Sequence, residues 1–213
     1  FRDILAEVVP EFRAGFDFEQ HSRFHSLDIY QHLLASAEAA ARIAPGELPL
    51  ALAMLLHDIG KPERFALDES GEGHFYGHAQ VSADIADSVL RRLRASTALR
   101  EQVCEIVRYH DIPLPENDRQ FRRMLSKHGE ELSRDIAMAH IADDMAKKPE
   151  CLPRCEDWRR LISRIPEMAQ ESCLSVKSLA VDGRALSGIV PPSPLMGEVL
   201  KFLLDGVVDG KFP

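Results

Sequence analysis

The residues best suited to chemistry are histidines and aspartates spread over the first two thirds of the chain. The chain has nine histidines, and several of them stand at predicted helix ends beside a carboxylate or a glycine. Six residues are the candidate metal ligands, because their side chains can bind a metal and they belong to different predicted helices or helix ends. They are His32, His57, Asp58, His78, His110 and Asp143. Imidazole suits zinc, iron, nickel, cobalt or manganese, and carboxylate suits manganese, magnesium or iron. The set therefore predicts one or two divalent metal ions without fixing which metal.

Asp58 is the residue that could join two ions. It follows His57 at the end of the apolar run 51–56, where an unpaired buried charge would be costly. A carboxylate has two oxygens, and two ions about 3.5–4 Å apart can clamp a phosphoryl group and generate hydroxide from water. The pattern predicts phosphoester chemistry with Asp58 as a bridging ligand.

Other polar residues are candidates for supporting roles. Asp28 precedes His32 by four residues and is predicted to accept a hydrogen bond from an imidazole and so hold its tautomer. His25 precedes Asp28 by three residues and could face the substrate, as could His74 in a glycine-rich loop. Arg123 belongs to a basic stripe, which is a solvated face unless it borders the metal cleft. Ordinary hydrogen bonding is expected for the remaining histidines, which are His21, His128 and His140.

Composition limits the classes of protein to which the chain can belong. It has 213 residues, 45% of them hydrophobic, and a net charge of −8, as expected for one globular domain with or without an appendage. The acidic balance argues against a broadly basic nucleic-acid surface, although a local basic patch stays open. No apolar run is long enough to span a bilayer. The four cysteines form no paired CxxC set, so a four-sulfur zinc site is not expected. A reducing cytoplasm is the simpler interpretation of the cysteine usage, and disulfide pairing is the alternative.

The elements that must position these residues are predicted to be helices, so the fold class is all-α. Residues 1–148 are predicted to form the helical core, and 149–213 an α-helical appendage. Apolar periodicity and stop signals predict helices over 26–43, 48–60, 78–94, 96–115, 119–129, 132–149 and 193–210. A polar loop is predicted over 67–77, and a short extended piece near 174–181.

The order of the ligand residues resembles a known superfamily. His32, His57-Asp58 and Asp143 match the H…HD…D pattern of the HD-domain metal-dependent phosphohydrolases. His78 and His110 are similar to the two additional histidines of its two-metal members. The resemblance implies an HD-domain helical bundle in which His32, His57, Asp58 and Asp143 hold one ion, and Asp58, His78 and His110 hold a second. The resemblance also favours Asp143 rather than Asp144 as the metal ligand on that helix.

A closer resemblance covers residues from about 20 to 210. The segments "HSLDIYQH", "HDIGKP", "FYGHAQVSADIA", "VRYHD" and "ADDMAK", and the tail from "SVKSLAVDG" onward, resemble the HD domain and C-terminal part of bacterial CCA-adding tRNA nucleotidyltransferases. The nucleotidyltransferase head of those enzymes is absent, so we expect that this chain does not add CCA. The chain opens with Phe1 rather than Met, as a trimmed chain would, but its start "FRDILAEVVPEF" already resembles the entry to an HD domain. Whether an N-terminal segment is missing stays open.

The resemblance implies hydrolysis of a nucleotide or RNA-end phosphoester by a phosphatase, 2′-nucleotidase or 2′,3′-cyclic phosphodiesterase. Asp58 and Lys61 would be the catalytic residues. Lys61 is either a solvated cation at a helix end or a contact to a phosphate oxygen. The alternative is a tRNA-binding or regulatory module with a structural metal, since the tail of the tRNA enzymes grips tRNA. A nucleotide hydrolase of the alarmone or deoxynucleotide type is a third candidate, against which the tail argues. The oligomeric state stays open.

Overall fold

The computed structural model describes residues 2–191 and 193–212, so Phe1, Pro192 and Pro213 lie outside it. Helices account for most of the described residues, and the only strands among these residues form one small sheet, which confirms the all-α class. The α-helices are α1 (Arg2–Val8), α2 (Ile29–Ile43), α3 (Leu48–Leu56), α4 (His78–Arg92), α5 (Thr97–Tyr109), α6 (Asp118–Met145), α7 (Leu152–Glu171) and α8 (Pro194–Val208). Two short strands, β1 (Ala66–Leu67) and β2 (Gly73–His74), pair antiparallel. Short 3₁₀ turns cover Pro10–Gly15, Lys61–Arg64, Pro149–Cys151 and Val176–Ser178.

Helix ends follow local sequence signals. Asp28 caps α2 by accepting a hydrogen bond from the Gln31 amide at 2.7 Å, and Ser96 caps α5 in the same way. The predicted helix 48–60 ends earlier, at Leu56, because residues 57–60 form a tight turn. Helix propensity alone does not predict the residue at which an apolar helix ends.

The chain divides into two compact units. The first unit contains residues 1–112 and 135–161, and the second contains 113–134 and 162–213. This division differs from the predicted boundary at residue 148. Pro149 and Pro153 do not end the first unit, because they occupy the first turns of helical segments, where proline is tolerated. Within α6 the boundary between the units lies between residues 134 and 135, a few residues beyond Gly129, whose φ of +73° interrupts the helix.

The core of the first unit is formed by α2, α3, α4 and α5. In it α2 packs on α3, α3 on α5 and α4 on α5. Its largest buried side chains include Phe12, Leu33, Met54, Ile106 and Ile141. Cys151 and Cys155 are buried packing residues, each with a free thiol. This packing fixes the ends of α3 and α5, which carry candidate site residues.

The second unit has its own local order. Asp209, at the end of α8, binds Arg119, Arg123 and Lys211. The segment near 174–181, predicted to be extended, forms a 3₁₀ turn at Val176–Ser178 instead, so that prediction was wrong. Ser175 and Ser178 cap this turn reciprocally, and such local hydrogen bonds compete with extended backbone.

The strand pairing lies within the loop predicted over 67–77. The pairs are Ala66 with His74 and Leu67 with Gly73. Gly73 is required here because a Cβ on it would lie 2.3 Å from the carbonyl oxygen of Gln20. Among the residues described, no helix combines the length and apolar character needed to cross a membrane.

Candidate metal centre

The six predicted ligands all lie in the first unit and are all buried. They stand at helix ends or close to them, where a side chain can turn inward without a neighbouring turn covering it. His32 lies on α2, the His57-Asp58 pair follows α3, His78 is the first residue of α4, His110 follows α5, and Asp143 is near the end of α6.

Two glycines, one before and one after the hairpin of β1 and β2, permit the predicted ligands to lie close together. A Cβ on Gly60 would lie 2.7 Å from the amide nitrogen of Ser82, so only glycine lets the turn after Asp58 approach α4. Gly77 adopts a φ of +77° immediately before His78, a conformation that costs other residues energy. The two glycines bring His57-Asp58 and His78 together.

Asp58 is the centre of the cluster. Its Oδ2 lies 3.4 Å from His32 Nε2 and 3.2 Å from His57 Nε2. Its Oδ1 lies 3.1 Å from His78 Nε2 and 3.6 Å from His110 Nε2. Each carboxylate oxygen therefore faces a different pair of imidazoles. This arrangement matches the predicted bridging position of Asp58.

Asp143 completes the group on the Oδ2 side. Its Oδ1 lies 3.0 Å from His32 Nε2 and 3.6 Å from His57 Nε2. Three groups of ligand atoms lie within 4.8 Å of one another, namely His25, His32 and Asp58; His32, His57 and Asp143; and His57, Asp58 and His110. Ligand atoms this close together can share one cation, because metal–ligand distances are about 2.0–2.2 Å.

Several of these atoms are buried without a hydrogen-bond partner among the described residues. They are His32 Nε2, His57 Nε2, Asp58 Oδ1 and Asp143 Oδ1. Buried polar atoms are nearly always satisfied, because an unpaired one carries its full desolvation cost. Four such atoms pointing into one cluster fit a divalent cation that they would coordinate.

The hydrogen bonds of the outer ring nitrogens fix which nitrogen faces the cluster. In three histidines, Nδ1 contacts the carbonyl oxygen of the residue three positions earlier, at 2.8 Å for His57, 2.9 Å for His78 and 2.7 Å for His110. A carbonyl only accepts, so Nδ1 carries the hydrogen in each case. In the neutral ring Nε2 is then an unprotonated lone pair, which is the form that binds a metal.

His78 and His110 form the other group. Their Nε2 atoms lie 3.2 Å apart. Burial lowers the pKa of His110, so its Nε2 is a lone pair directed at the neighbouring ring. A cation bound by both rings and by Asp58 Oδ1 would relieve the contact between electron-rich nitrogens.

The charges around the cluster are balanced by two lysines, of which Lys61 is buried and Lys147 half-buried. Lys61 Nζ lies 2.6 Å from Asp58 Oδ2 and donates to Gln20 Oε1 at 2.8 Å, and Lys147 is paired with Asp143. Burial opposes ionisation of Asp58, but His57 and Lys61 hold its pKa well below the usual range. Burial also opposes charge on His57, yet Asp58 and Asp143 raise its pKa to about 9. The cluster therefore attracts positive charge strongly.

Two predictions about neighbouring residues need correction. Asp28 does not hold an imidazole: it caps α2 and accepts from the Asp17 amide at 3.2 Å, while His32 Nδ1 lacks a partner among the described residues. The spacing of four residues between Asp28 and His32 predicted that both side chains share one helix face. Asp28 is instead the N-cap residue, and an N-cap side chain turns back onto the helix end. Lys61 is not a solvated cation, since only 6% of it is exposed.

The other named candidates fall in different places. His25 comes within ligand distance of His32 and Asp58, and burial lowers its pKa to about 2. Asp144 pairs with Arg154, whereas Asp143 faces the cluster. Arg123 lies in the second unit, where Asp209 binds its guanidinium. Its predicted role toward the substrate stays a prediction.

The remaining histidines lie in ordinary surroundings. His140 stacks on Trp158 with centroids 4.1 Å apart, and burial lowers its pKa to about 3. His74 binds Asp68 in the hairpin. His21 lies near the Phe65 ring, and burial lowers the pKa of His128.

Sequence reasoning missed three residues of the site. Gln20 is buried and holds Lys61, Lys147 pairs with Asp143, and Asp111 lines the same pocket as both lysines. The sequence could have indicated Lys147 and Asp111, because each lies close to a predicted ligand. Lys147 follows Asp143 by four residues, which places both on one helix face, and Asp111 directly follows His110. No pattern in the sequence indicates Gln20.

A pocket of about 290 Å³ opens onto the cluster. Asp58, His78, His110 and Asp143 line it from one side, and the hairpin residues 73–77 line it from another. The volume is at the low end of the range for small-molecule sites, so it suits a small charged group. The ligand atoms can therefore reach a bound molecule.

Comparisons with known proteins agree with this geometry. Residues 29–148 match the HD domain family. The chain is 31% identical to the A-adding tRNA nucleotidyltransferase of Deinococcus radiodurans over 212 residues, 95% of this chain and 47% of that protein. It is also 31% identical to the CC-adding tRNA nucleotidyltransferase of Thermus thermophilus, with 88% of this chain and 42% of that protein covered.

A third relative carries a different name. The bifunctional uridylyltransferase/uridylyl-removing enzyme of Ruegeria pomeroyi is 32% identical over 114 residues, which is 50% of this chain and 13% of that protein. The chain spans less than half the length of each of these relatives.

Proposed function

Because this chain belongs to the HD-domain family, we propose that it is a metal-dependent phosphohydrolase acting on phosphoesters of nucleotides or RNA ends. One observation carries the proposal: imidazole nitrogens lie around both oxygens of one buried aspartate, and His32 Nε2, His57 Nε2 and Asp58 Oδ1 have no hydrogen-bond partner among the described residues. The relatives named for tRNA ends and for uridylyl removal support a nucleotide phosphoester as the substrate.

The residues that would hold the ions are those of the cluster. His32, His57, Asp143 and Asp58 Oδ2 would hold one ion, and Asp58 Oδ1, His78 and His110 a second. Divalent ions bound there would polarise the phosphoester and make water a nucleophile at neutral pH. Manganese, nickel, cobalt, iron, zinc and magnesium all fit a mixed imidazole and carboxylate set.

The protein supplies positive charge of its own beside that site. The ammonium groups of Lys61 and Lys147 line the pocket, and their carboxylate partners fix their positions. A phosphoryl group entering the pocket would meet both lysines. They would stabilise the negative charge that grows on its oxygens in the transition state.

His25 is the residue that we assign to contact the substrate. It lines the pocket, and its Nδ1 lies 3.1 Å from Ser22 Oγ. Its low pKa keeps the ring neutral, and its Nε2 lacks a partner among the described residues. A neutral ring with one uncommitted nitrogen can donate to or accept from a substrate oxygen.

Hydrolysis assays test the proposal. The substrates are bis(p-nitrophenyl) phosphate and 2′,3′-cyclic AMP, each with added manganese, nickel or cobalt. We expect turnover by the wild type and a kcat/KM about 10³-fold lower for Asp58→Asn. Asp84→Asn is the matched control, because Asp84 is an exposed residue of α4 outside the pocket lining. Absence of turnover with every metal, in a protein that binds metal, would contradict the proposal.

A second candidate function is tRNA contact through the second unit, either beside hydrolysis or with a purely structural metal. A groove of about 530 Å³ in that unit is lined by Arg123, Lys127 and Lys201 together with Asp205 and Asp209. The relatives named as tRNA nucleotidyltransferases match through most of the chain, which supports this candidate. An RNA partner and free thiols fit the cytoplasm as the place of action.

A tRNA gel shift at increasing salt tests this candidate. Binding should weaken as salt rises, because lysine and arginine contacts to phosphates release counterions. Lys201→Glu should weaken binding, whereas Lys177→Glu, at an exposed position outside the groove lining, should not. Tight binding without phosphate release would favour the structural-metal alternative over hydrolysis. Equal binding by both variants would contradict a contact at this groove.

A further inference from the structure

The hairpin beside the metal centre presents an aromatic ring to solvent. Tyr76 is 80% exposed. Its ring is nearly parallel to the imidazole of His74, with an interplanar angle of 4° and centroids 5.3 Å apart, which is an offset stack. One face of Tyr76 is therefore turned toward His74, and the opposite face is open. The protein leaves a large flat apolar surface uncovered at this point.

The ring beneath Tyr76 is held in place. His74 Nε2 lies 2.8 Å from Asp68 Oδ2. The other oxygen of Asp68 accepts from Ser70 and from the Glu72 amide, which closes the hairpin turn. His74 itself belongs to β2 and is paired with Ala66. The stack rests on an ordered hairpin rather than on a single mobile side chain.

The aromatic stack lies at the pocket that contains the metal ligands. His74 and Tyr76 line that pocket together with Asp58 and Lys61. Tyr76 precedes His78 by two residues, so their Cα atoms are within about 7 Å of each other. Phe75, the residue between His74 and Tyr76, has Lys61 Nζ 5.1 Å from its ring centroid and is less exposed than Tyr76. Of these two neighbouring aromatic rings, Tyr76 is therefore the one offered to solvent.

We infer that Tyr76 is the platform on which the base of a nucleotide substrate stacks while its phosphoester lies at the metal centre. This inference rests on the proposed function and specifies its substrate class as base-carrying phosphoesters. The pocket is too small to enclose a whole nucleotide comfortably, since it is at the low end of ligand-site volumes. The charged part therefore fills the pocket, and the flat base lies at its mouth. Every base has a π-face, so the platform selects for a base rather than for one particular base.

Paired substrates that differ only in the base test this inference. The pair is 2′,3′-cyclic AMP and base-free ribose 2,3-cyclic phosphate, and phosphate-ester opening is followed by chromatography. For the wild type we expect kcat/KM to be about tenfold higher for the base-carrying substrate. Tyr76→Leu should bring the ratio close to one, and Tyr76→Phe should keep it, because the ring and not the hydroxyl makes the stack. Leu67→Ala is the matched control, since Leu67 is exposed on the same hairpin but outside the pocket lining.

A binding measurement separates this inference from the proposed function. Calorimetry compares adenosine 3′-monophosphate with ribose 3-phosphate on the manganese-loaded protein, for the wild type and for Tyr76→Leu. A base-dependent affinity that Tyr76→Leu removes, without turnover of any substrate, would support the platform and overturn the hydrolase. Turnover with equal kcat/KM for both substrates, unchanged by Tyr76→Leu, would overturn the platform and leave the hydrolase standing.

Discussion

Asp58 in the first unit and Asp209 in the second are both carboxylates surrounded by nitrogen atoms, and they differ in how those atoms are arranged. Asp209 has a side chain only 6% exposed. Both of its oxygens accept hydrogen bonds of 2.6–3.1 Å from Arg119 and Arg123. Around Asp58 the imidazole nitrogens stand 3.1–3.6 Å away, and its Oδ1 has no hydrogen-bond partner among the described residues.

The difference separates a carboxylate that the protein itself satisfies from one to which the proposed function assigns metal ions. Asp209 meets permanent cations in bidentate geometry, which satisfies it without any ligand. Asp58 Oδ2 meets one permanent cation, Lys61, at 2.6 Å. The other groups around Asp58 are imidazoles, which bind metals when neutral, and its Oδ1 has no hydrogen-bond partner among the described residues. Counting charged neighbours would therefore rank the two alike, whereas the unmade hydrogen bonds distinguish them. The predictions below test this contrast.

Removing the bridging carboxylate should have the largest effect. We expect Asp58→Asn to lower kcat/KM for 2′,3′-cyclic AMP by about 10³-fold, because the transition state loses stabilisation worth several kcal/mol when the ions are lost. Elemental analysis of the purified variant should find no bound ion. Retained metal together with normal activity would show that Asp58 is structural like Asp209.

Removing one ligand of a single group should have a smaller effect and a distinct signature. We expect His110→Ala to bind one ion where the wild type binds two, because His110 Nε2 lies on the Oδ1 side of Asp58, 3.6 Å from that oxygen. Activity should fall by about 10²-fold, the upper range seen when groups that support metal ligands are removed. A wild type with one ion, or a variant with two, would show that the two oxygens of Asp58 do not serve separate ions.

Metal affinity should rise with pH over the range in which His57 loses its proton. In the metal-free protein the pKa of His57 is raised to about 9, so the proton on His57 stabilises the fold below about pH 6.5, and that stabilisation is lost as pH rises toward 9. A metal must displace this proton, so its affinity should increase about tenfold between pH 7 and pH 8. Manganese titrations followed by thermal melting measure this. An affinity that is flat or falls with pH would contradict a proton held at the ligand.

The smallest effect on activity is expected at Asp209. Asp209→Asn should lower the melting temperature, because Arg119 and Arg123 lose their common partner, and it should leave kcat/KM for 2′,3′-cyclic AMP unchanged. The measurements are thermal unfolding and the hydrolysis assay on the same sample. Loss of hydrolysis with unchanged stability would reverse the roles assigned to the two aspartates.

The sequence predicted the all-α fold and all six residues of the cluster. Their residue types and the resemblance of their order to the HD-domain superfamily marked them, and His57, Asp58 and His78 also stand at or near predicted helix ends. Their role as metal ligands stays a prediction. The sequence could not predict that Lys61 is buried, since this depends on Gln20, which is distant in the chain. It also could not place the hairpin contact between Gly73 and Gln20, because such approaches arise from packing. Asp28 was misassigned because capping and ligand support favour the same residue type.

Elemental analysis combined with anomalous scattering from crystals of the manganese-loaded protein tests the central claim most directly. The account predicts two ions per chain, one beside each oxygen of Asp58, with His32, His57 and Asp143 on one side and His78 and His110 on the other. A protein that binds no manganese, nickel, cobalt, iron or zinc, or that binds an ion away from Asp58, would contradict it.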